Sequence, residues 1–378
     1  MVSECFGSTR SIGWCLAMLA ALVGAAAPAA AATAMQGDFV VIANRATDPI
    51  SFTVSVPSAG DAAARKVELA AGGVMPLVIM GGEQLTFAAA GQRRTYRLVP
   101  NNVYYFGNTS PGVLDLGQIG SAASDAVSRP ATRRDSAIPA PGGNSTSPAP
   151  LVIPVKILRD DNEFAADAAW ERRLRARFDE ASRIFEKYCF VRFQIVAIDQ
   201  WHSSDAITDL DAELREFERL VDPGPARLAI GFTGQNKLQG SRMHLGGTRG
   251  PLGSHLIVRE WAARHSEAER LELLVHELGH FLGAVHSPEP HSAMRILLGD
   301  RQARAVKFQI GFDPLNTLAL CLVVQELRAG ADVRLAAMRR QTQLELRRIY
   351  TELAHALPDD PSGPQFLRAL ALPALGAR

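Results

Sequence analysis

The most constraining feature of this chain is an eleven-residue segment, H-E-L-G-H-F-L-G-A-V-H, which runs from His276 to His286. His276 and His280 are four residues apart, so on a helix they lie on one face and can reach one metal ion at about 2.0–2.1 Å. Gly283 permits a sharp turn that would bring His286 to the same ion as a third ligand. Three protein ligands leave a fourth position open for water, which is typical of a catalytic zinc site and predicts one Zn²⁺ ion.

The acidic residue of the motif, Glu277, directly follows the first histidine. From there its carboxylate can reach a zinc-bound water and act as the general base. The alternative is an amphipathic core helix with incidental histidines, but five fixed positions would then have to coincide in a chain with 9 histidines and 31 glycines. The pattern therefore predicts metal ligands at His276, His280 and His286 and a catalytic role for Glu277.

The complete motif resembles that of the metzincin zinc endopeptidases. That family has a methionine turn after the third histidine, and here Met294 stands at the end of the segment S-P-E-P-H-S-A-M. Ser287 and the short distance to Met294 are most similar to the matrixin branch, although Ile296 stands where matrixins usually have proline. Arg295 stands where astacins and serralysins have a tyrosine. The resemblance covers roughly residues 150–328 and implies a zinc endopeptidase with Met294 as a hydrophobic floor beneath the metal.

The first 34 residues are predicted to be a signal peptide. Arg10 gives a positive start, residues 12–27 are apolar, and Ala32-Thr33-Ala34 is a small-residue cleavage site. The apolar stretch is shorter than the about 20 residues that a membrane-spanning helix needs. An uncleaved N-terminal anchor is the alternative. No later apolar run reaches membrane-spanning length, so we expect a protein secreted to the extracellular space or the periplasm.

The four cysteines divide into two pairs. Cys5 and Cys15 should leave with the signal peptide, whereas Cys189 and Cys321 remain. In an oxidising compartment these two could form a disulfide, but each also stands among apolar residues, where buried free thiols are common. Both interpretations stay open. Residues 35–150 contain no cysteine, so they cannot block the zinc with a thiolate as matrixin pro-segments do.

The balance of charges bears on whether the chain binds an anionic partner. The chain has 40 basic and 39 acidic side chains and a net charge of +1, which gives no reason to expect nucleic acid or an anionic membrane. Its hydrophobic fraction of 47% is sufficient for a large core, and its length suggests two domains.

Residues 35–117 are predicted to form a small all-β domain. The segment from Ile50 to Val56 alternates apolar and polar residues, as a strand with one buried face would. Turn residues separate it from other strand-like runs, which are Phe39–Ala43, Lys66–Leu69, Leu77–Met80, Gln84–Ala88, Thr95–Val99 and Val103–Phe106. No histidine and no catalytic constellation occur there. The segment could be an accessory module that binds a surface or a substrate, or an inhibitory pro-domain.

The rest of the chain divides into three parts. Residues 118–150 are a linker rich in Ser, Ala, Pro and Gly, residues 151–329 form the predicted protease domain, and residues 330–378 form a predicted helical extension. Linker composition suggests that few contacts cross this boundary.

The expected fold class is α+β: a metzincin-type zinc protease domain, with a twisted mixed sheet and long helices, preceded by a small all-β domain. A capping box at Ser266 and Glu269 starts the zinc helix, and Asp313-Pro314 starts the next helix. The other predicted elements are strand 151–157, helix Glu163–Tyr188, strands Phe190–Ile198, Arg227–Phe232 and His255–Arg259, and a helix over Ala331–Leu357.

Residues outside the motif add little to this interpretation. The H-x-D spacing of a second matrixin zinc site is missing, so His244, His255 and His291 are interpreted as ordinary surface or core residues. The segment from Gly246 to Gly250 could be a cleft-edge strand that accepts substrate backbone, or a plain surface loop.

We therefore expect a secreted zinc-dependent endopeptidase that acts on proteins or peptides through a zinc-bound water activated by Glu277. Two alternatives remain: a catalytically weak, metal-stabilised binding protein, and a zinc hydrolase of a non-protein substrate.

Overall fold

The computed structural model describes most of the chain that follows the predicted signal peptide. The described residues are 38–57, 64–110, 112–119, 148–161, 167–207, 209–234, 246–260, 266–306, 308–330 and 334–370. The predicted signal peptide and most of the predicted linker lie outside these ranges. All described residues belong to one unit, which extends from Ala34 to Arg378. Within the described ranges, no helix has the length and apolarity required to cross a membrane.

The segment from residue 38 to residue 119 is a pair of four-stranded sheets. Its strands are β1 (Asp38–Asn44), β2 (Ile50–Ser55), β3 (Arg65–Leu69), β4 (Val74–Ile79), β5 (Gln84–Ala89), β6 (Gln92–Arg97), β7 (Asn102–Ser110) and β8 (Val113–Ile119). The first sheet has the order β4-β1-β7-β8 and the second the order β3-β2-β5-β6. Each strand-like run in the sequence overlaps one of these strands, whereas β8 was not predicted.

Strand β1 does not alternate apolar and polar residues, because both of its faces are buried. Val40 and Ile42 point into the core between the two sheets, together with Phe52 and Phe106. Phe39, Val41 and Ala43 point the other way and join the larger core, which also contains residues of the predicted protease domain. A strand buried on both faces has no place for polar residues, and this accounts for the unbroken run F-V-V-I-A.

The third sheet has five strands. Its strands are β9 (Leu151–Asp160), β10 (Val191–Trp201), β11 (Leu228–Thr233), β12 (Gly246–Thr248) and β13 (His255–Arg259). They follow the order β10-β9-β11-β13-β12. Only β12 is antiparallel to its neighbour, so the sheet is mixed, as expected. In the described ranges β12 is an edge strand with one side unpaired.

Helices cover both faces of this sheet. The six helices of the described ranges are α1 (Asp167–Cys189), α2 (Leu210–Leu220), α3 (Glu267–Phe281), α4 (Pro314–Arg328), α5 (Arg340–Ala356) and α6 (Ser362–Ala369). One face packs on α1 and α3 in the main core. The other packs on α2, where Leu214 and Phe217 meet Leu158 and Ile257 in a separate cluster. Neither α2 nor α6 was predicted, and the predicted helix over Ala331–Leu357 begins only at Arg340.

Helix α4 lies at the centre of the molecule. Its apolar run from Leu318 to Val324 is buried on all sides, since α4 packs against α1 and α5 and also against β1, β4 and β7. The first of the two N-terminal sheets therefore shares a core with the helices of the predicted protease domain. The expectation that few contacts cross the linker is wrong, because composition reports on the connecting chain and not on the surfaces it connects. The domain boundaries themselves stay a prediction.

Candidate metal centre

The first two predicted ligands lie on α3, whose start agrees with the sequence pattern. The Ser266 side chain accepts from the backbone N–H of Glu269, and the Glu269 carboxylate accepts from the backbone N–H of Ser266, which completes the capping box. The apolar residues of the helix face the core. His276 and His280 point to the opposite side, one turn apart, with ring centroids separated by 4.6 Å.

Gly283 directs the chain from the end of α3 to the third histidine. Its φ is +94°, a conformation that side chains rarely adopt. A Cβ at this position would also lie 2.8 Å from Cγ2 of Val323 on α4. Glycine is therefore required here both by backbone conformation and by space, and the turn brings His286 back to the other two imidazoles.

The three imidazoles converge through their Nε2 atoms. Nε2 of His276 lies 3.1 Å from Nε2 of His280 and 3.3 Å from Nε2 of His286. Ligands about 2.0–2.1 Å from a tetrahedral zinc ion are about 3.3–3.4 Å from each other. The spacing of the nitrogens thus fits one zinc ion.

The opposite ring nitrogens fix the tautomers. Nδ1 of His276 lies 2.7 Å from the carbonyl oxygen of Ala293, and Nδ1 of His280 lies 2.9 Å from that of Ala284. Nδ1 of His286 lies 2.7 Å from Oδ2 of Asp360. These oxygens only accept hydrogen bonds, so each Nδ1 carries the ring proton. Three Nε2 lone pairs then face one another, and a shared cation satisfies all of them.

Electrostatics keep the imidazoles neutral. Burial, together with the neighbouring His280 and His286, lowers the pKa of His276 well below its usual value. Burial and the nearby His286 lower the pKa of His280 to about 3. Neutral imidazole is the form that binds metal, so these two rings are available as ligands at neutral pH.

Glu277 is buried beside the edge strand. A Cβ built on Gly246 of β12 would lie 2.5 Å from Oε1 of this carboxyl group, so the strand passes directly over it. Burial raises the pKa of Glu277 to about 8. A divalent cation at the imidazoles would oppose that shift, because it favours the carboxylate. The segment from Gly246 is thus partly an edge strand next to Glu277 rather than a plain surface loop.

Met294 lies against the zinc helix. Its side chain is fully buried, and its Sδ would be 2.7 Å from a Cβ on Gly279. The backbone N–H of Ser287 donates to the carbonyl of Met294 at 2.9 Å and closes the loop between them. The next residue, Arg295, does not extend towards the imidazoles: it pairs with Glu272 of α3 and, at 3.0 Å, with Asp300. Arg295 therefore ties the methionine turn to the helix.

Several supporting residues have no local signal in the sequence. Asn316 of α4 clamps the residue before the third ligand: its Oδ1 accepts from the N–H of Val285 at 2.9 Å, and its Nδ2 donates to the carbonyl of Val285 at 2.8 Å. Asp360 accepts from His286, and Ser362 accepts from the backbone N–H of His286 at 3.0 Å. Burial alone would raise the pKa of Asp360, but hydrogen bonds from Ser362 and His286 lower it.

The remaining candidates lie away from the three imidazoles. Within the described ranges, only His276, His280 and His286 form a group that could hold a metal ion. His255 is buried against the carbonyl of Val221, and His291 packs near Phe308. His244 lies outside the described residues. Cys189 and Cys321 are buried free thiols rather than a disulfide.

One family model matches part of this chain. Residues 155–302, less than half of the chain, match the model described as Reprolysin_5, metallo-peptidase family M12. The match supports a metzincin-like zinc peptidase. A comparison with curated proteins found no match.

Two solved structures show only weak likeness to the chain. Archaemetzincin from Methanopyrus kandleri is 16% identical, with a TM-score of 0.35, over 45% of this chain and 96% of that one. A chaperone–substrate complex is 10% identical, with a TM-score of 0.33, over 77% of this chain and 42% of that one.

Proposed function

We propose that this protein is a secreted zinc-dependent endopeptidase, nearest to the matrixin branch by Ser287 and Met294. The observation that carries the proposal is that three unprotonated Nε2 atoms converge on one point. The residue that follows the first of these histidines is Glu277, whose carboxyl group is buried. His276, His280 and His286 would hold the ion. Glu277 lies on the same helix, and its carboxyl group is adjacent to the edge strand along which a substrate would lie.

The chemical roles of the metal, Glu277 and β12 follow from these positions. Zinc, when bound, supplies a Lewis acid that polarises the scissile carbonyl and acidifies water. Glu277 accepts the proton of the attacking water and passes it to the leaving amine. Strand β12 has no strand partner on its outer side among the described residues, so that side could accept an extended peptide, which favours protein or peptide substrates over small esters.

The general-base role of Glu277 is tested by Glu277→Gln. The amide keeps the shape of the side chain but cannot accept a proton, so we expect hydrolysis of a peptide library to fall by about 10²–10⁴-fold or more. Zinc content should stay at one ion per chain. Glu289→Gln, the same change at a half-exposed residue of the loop after the third histidine, is the matched control and should leave activity unchanged.

The same assays separate the two alternatives. A catalytically weak binding protein would retain zinc yet cleave no peptide in the library. A hydrolase of non-protein substrates would leave the library intact and cleave members of a panel of amides and esters. Wild-type turnover in Glu277→Gln would remove Glu277 from its role.

A further inference from the structure

The third imidazole is supported differently from the first two. His276 and His280 are held by neutral carbonyls of nearby residues, Ala293 and Ala284. His286 is instead held by a carboxylate, that of Asp360, which stands 74 positions later in the chain. Asp360 lies just before α6, outside the residues that match the metallopeptidase family.

Asp360 and Ser362 hold both the backbone and the ring of His286. The N–H of His286 donates to Oγ of Ser362 at 3.0 Å, and Nδ1 of His286 donates to Oδ2 of Asp360 at 2.7 Å. Oγ of Ser362 donates to the other carboxylate oxygen, Oδ1 of Asp360, at 2.5 Å. The three residues close a ring of hydrogen bonds, and the Asp360 side chain is only 8% exposed.

Support of this kind is needed because His286 follows a glycine turn and does not lie on a helix. The backbone of α3 fixes His276 and His280, whereas His286 must be oriented by contacts with other parts of the chain. The same C-terminal elements also contact the turn itself. Tyr350 of α5 donates to the carbonyl of Gly283 at 2.7 Å, and Phe366 of α6 lies between Tyr350 and His280.

We propose that Asp360 and Ser362 are positioning residues for the third metal ligand, and that the C-terminal segment 340–370 is part of the metal centre. Carboxylates that accept from a metal-bound imidazole fix its orientation and raise its basicity. Asp360 does this for His286, and Ser362 holds both partners in place. The inference rests on the proposed zinc site, but it concerns retention of the ion and not the peptidase reaction.

The test is Asp360→Asn, which keeps the shape of the side chain and removes its charge. We expect zinc affinity, measured by competition with a chromogenic chelator, to fall about 10–100-fold, as is typical when such a partner of a ligand is lost. The absorption bands of the Co²⁺-substituted protein should shift, since the geometry at His286 changes. The matched control is Asp359→Asn, the same change at the exposed neighbouring residue, and it should leave both readouts unchanged.

A second variant covers the case in which Asp360→Asn fails to fold. Ser362→Ala removes one hydroxyl and should weaken zinc binding several-fold while the far-ultraviolet circular dichroism stays that of the wild type. The variant His286→Ala gives a reference value, the zinc affinity of a site with only two histidines. The proposal is overturned if Asp360→Asn or a folded Ser362→Ala binds zinc as tightly as the wild type with the same Co²⁺ spectrum. These results do not depend on Glu277, so failure here is distinguishable from failure of the proposed reaction.

Discussion

At the scale of single residues, Gly246 of β12 and Gly283 of the histidine motif are both required to be glycine, for different physical reasons. Gly283 is required by its positive φ, whereas Gly246 is required by space. A Cβ at Gly246 would lie 2.5 Å from both Cδ and Oε1 of Glu277, closer than real side chains approach. Because Glu277 is buried, its carboxyl group could make room only by leaving its present position.

This contact predicts the effect of Gly246→Ala. Displacement of the carboxyl group by a fraction of an ångström to about 1 Å should lower kcat by about 10–10²-fold, since general-base catalysis depends on position. Zinc content should not change. Gly247→Ala is the matched control, because its Cβ would make an ordinary 3.5 Å contact with Leu210. Steady-state kinetics and metal analysis of both variants provide the check, and equal kcat values in the two would exclude the steric role.

The sequence predicts those residues of the site that share a local spacing. The three histidines, Glu277 and the turn at Gly283 lie within eleven residues, so the geometry of one helix and one turn relates them. Asn316 and Asp360 act through partners 31 and 74 positions away, and no period or spacing reports such a pair. Arg295 stands where astacins and serralysins have a tyrosine, and no spacing in the sequence indicates its pairing with Glu272.

At the scale of elements, the periodicity of apolar residues predicts a strand or helix only when one of its faces is exposed to solvent. Strands with one solvated face alternate in sequence, as β2 does, and are easily recognised. Strand β1 and helix α4 are buried on all sides, so their apolar runs indicate how long each element is. They do not indicate which side of the element faces which neighbour. The predicted helix over Ala331–Leu357 is too long at its start, because Leu335–Ala337 form a short 3₁₀ turn and α5 begins only at Arg340.

The end of α1 and the middle of α4 carry the two free thiols. Burial raises the pKa of both Cys189 and Cys321, and Sγ of Cys321 donates to the carbonyl of Tyr188 at 3.4 Å. We expect neither thiol to react with iodoacetamide in the folded protein at pH 8, because thiolate is scarce and inaccessible.

Mass spectrometry of the Cys189 and Cys321 peptides measures this reactivity. Both should be alkylated after unfolding in guanidinium chloride without any reductant, as free thiols would be. A requirement for reductant before alkylation would show that the two cysteines form a disulfide after all.

At the scale of the whole molecule, the first β-sheet is part of the main core. Phe39, Val41 and Val103 are fully buried in the same cluster as α4. Arg348 of α5 also donates to the carbonyl of Asn101 at 3.1 Å, so hydrogen bonds cross the same boundary. Burial of a large apolar side chain stabilises a fold by about 1.5–3 kcal/mol, so Phe39, Val41 and Val103 together contribute several kcal/mol to the stability of the folded chain.

A chain that begins at Leu151 should therefore fail to fold stably. The loss is comparable to the whole free energy of unfolding of an ordinary protein, about 5–15 kcal/mol. We expect aggregation or loss of zinc, measured by gel filtration and metal analysis. The control is the full chain cut once by protease within residues 120–147, whose two pieces should elute together and retain zinc.

Two other outcomes would change the interpretation of residues 35–150. A stable truncated chain with unchanged activity would show that the shared core is dispensable and restore an independent accessory module. A large gain in activity would identify an inhibitory pro-domain.

The hydrogen bond between His286 and Asp360 also has a consequence for the timing of synthesis. The ribosome releases the H-E-x-x-H helix long before it releases the carboxylate that orients the last ligand. A nascent chain thus carries its three histidines for a further 74 residues without a completed site. We expect such a chain to hold zinc poorly until α6 has docked. Peptidase activity would then appear only late in folding. By that time the chain has no unfolded segments left that its own active site could cleave.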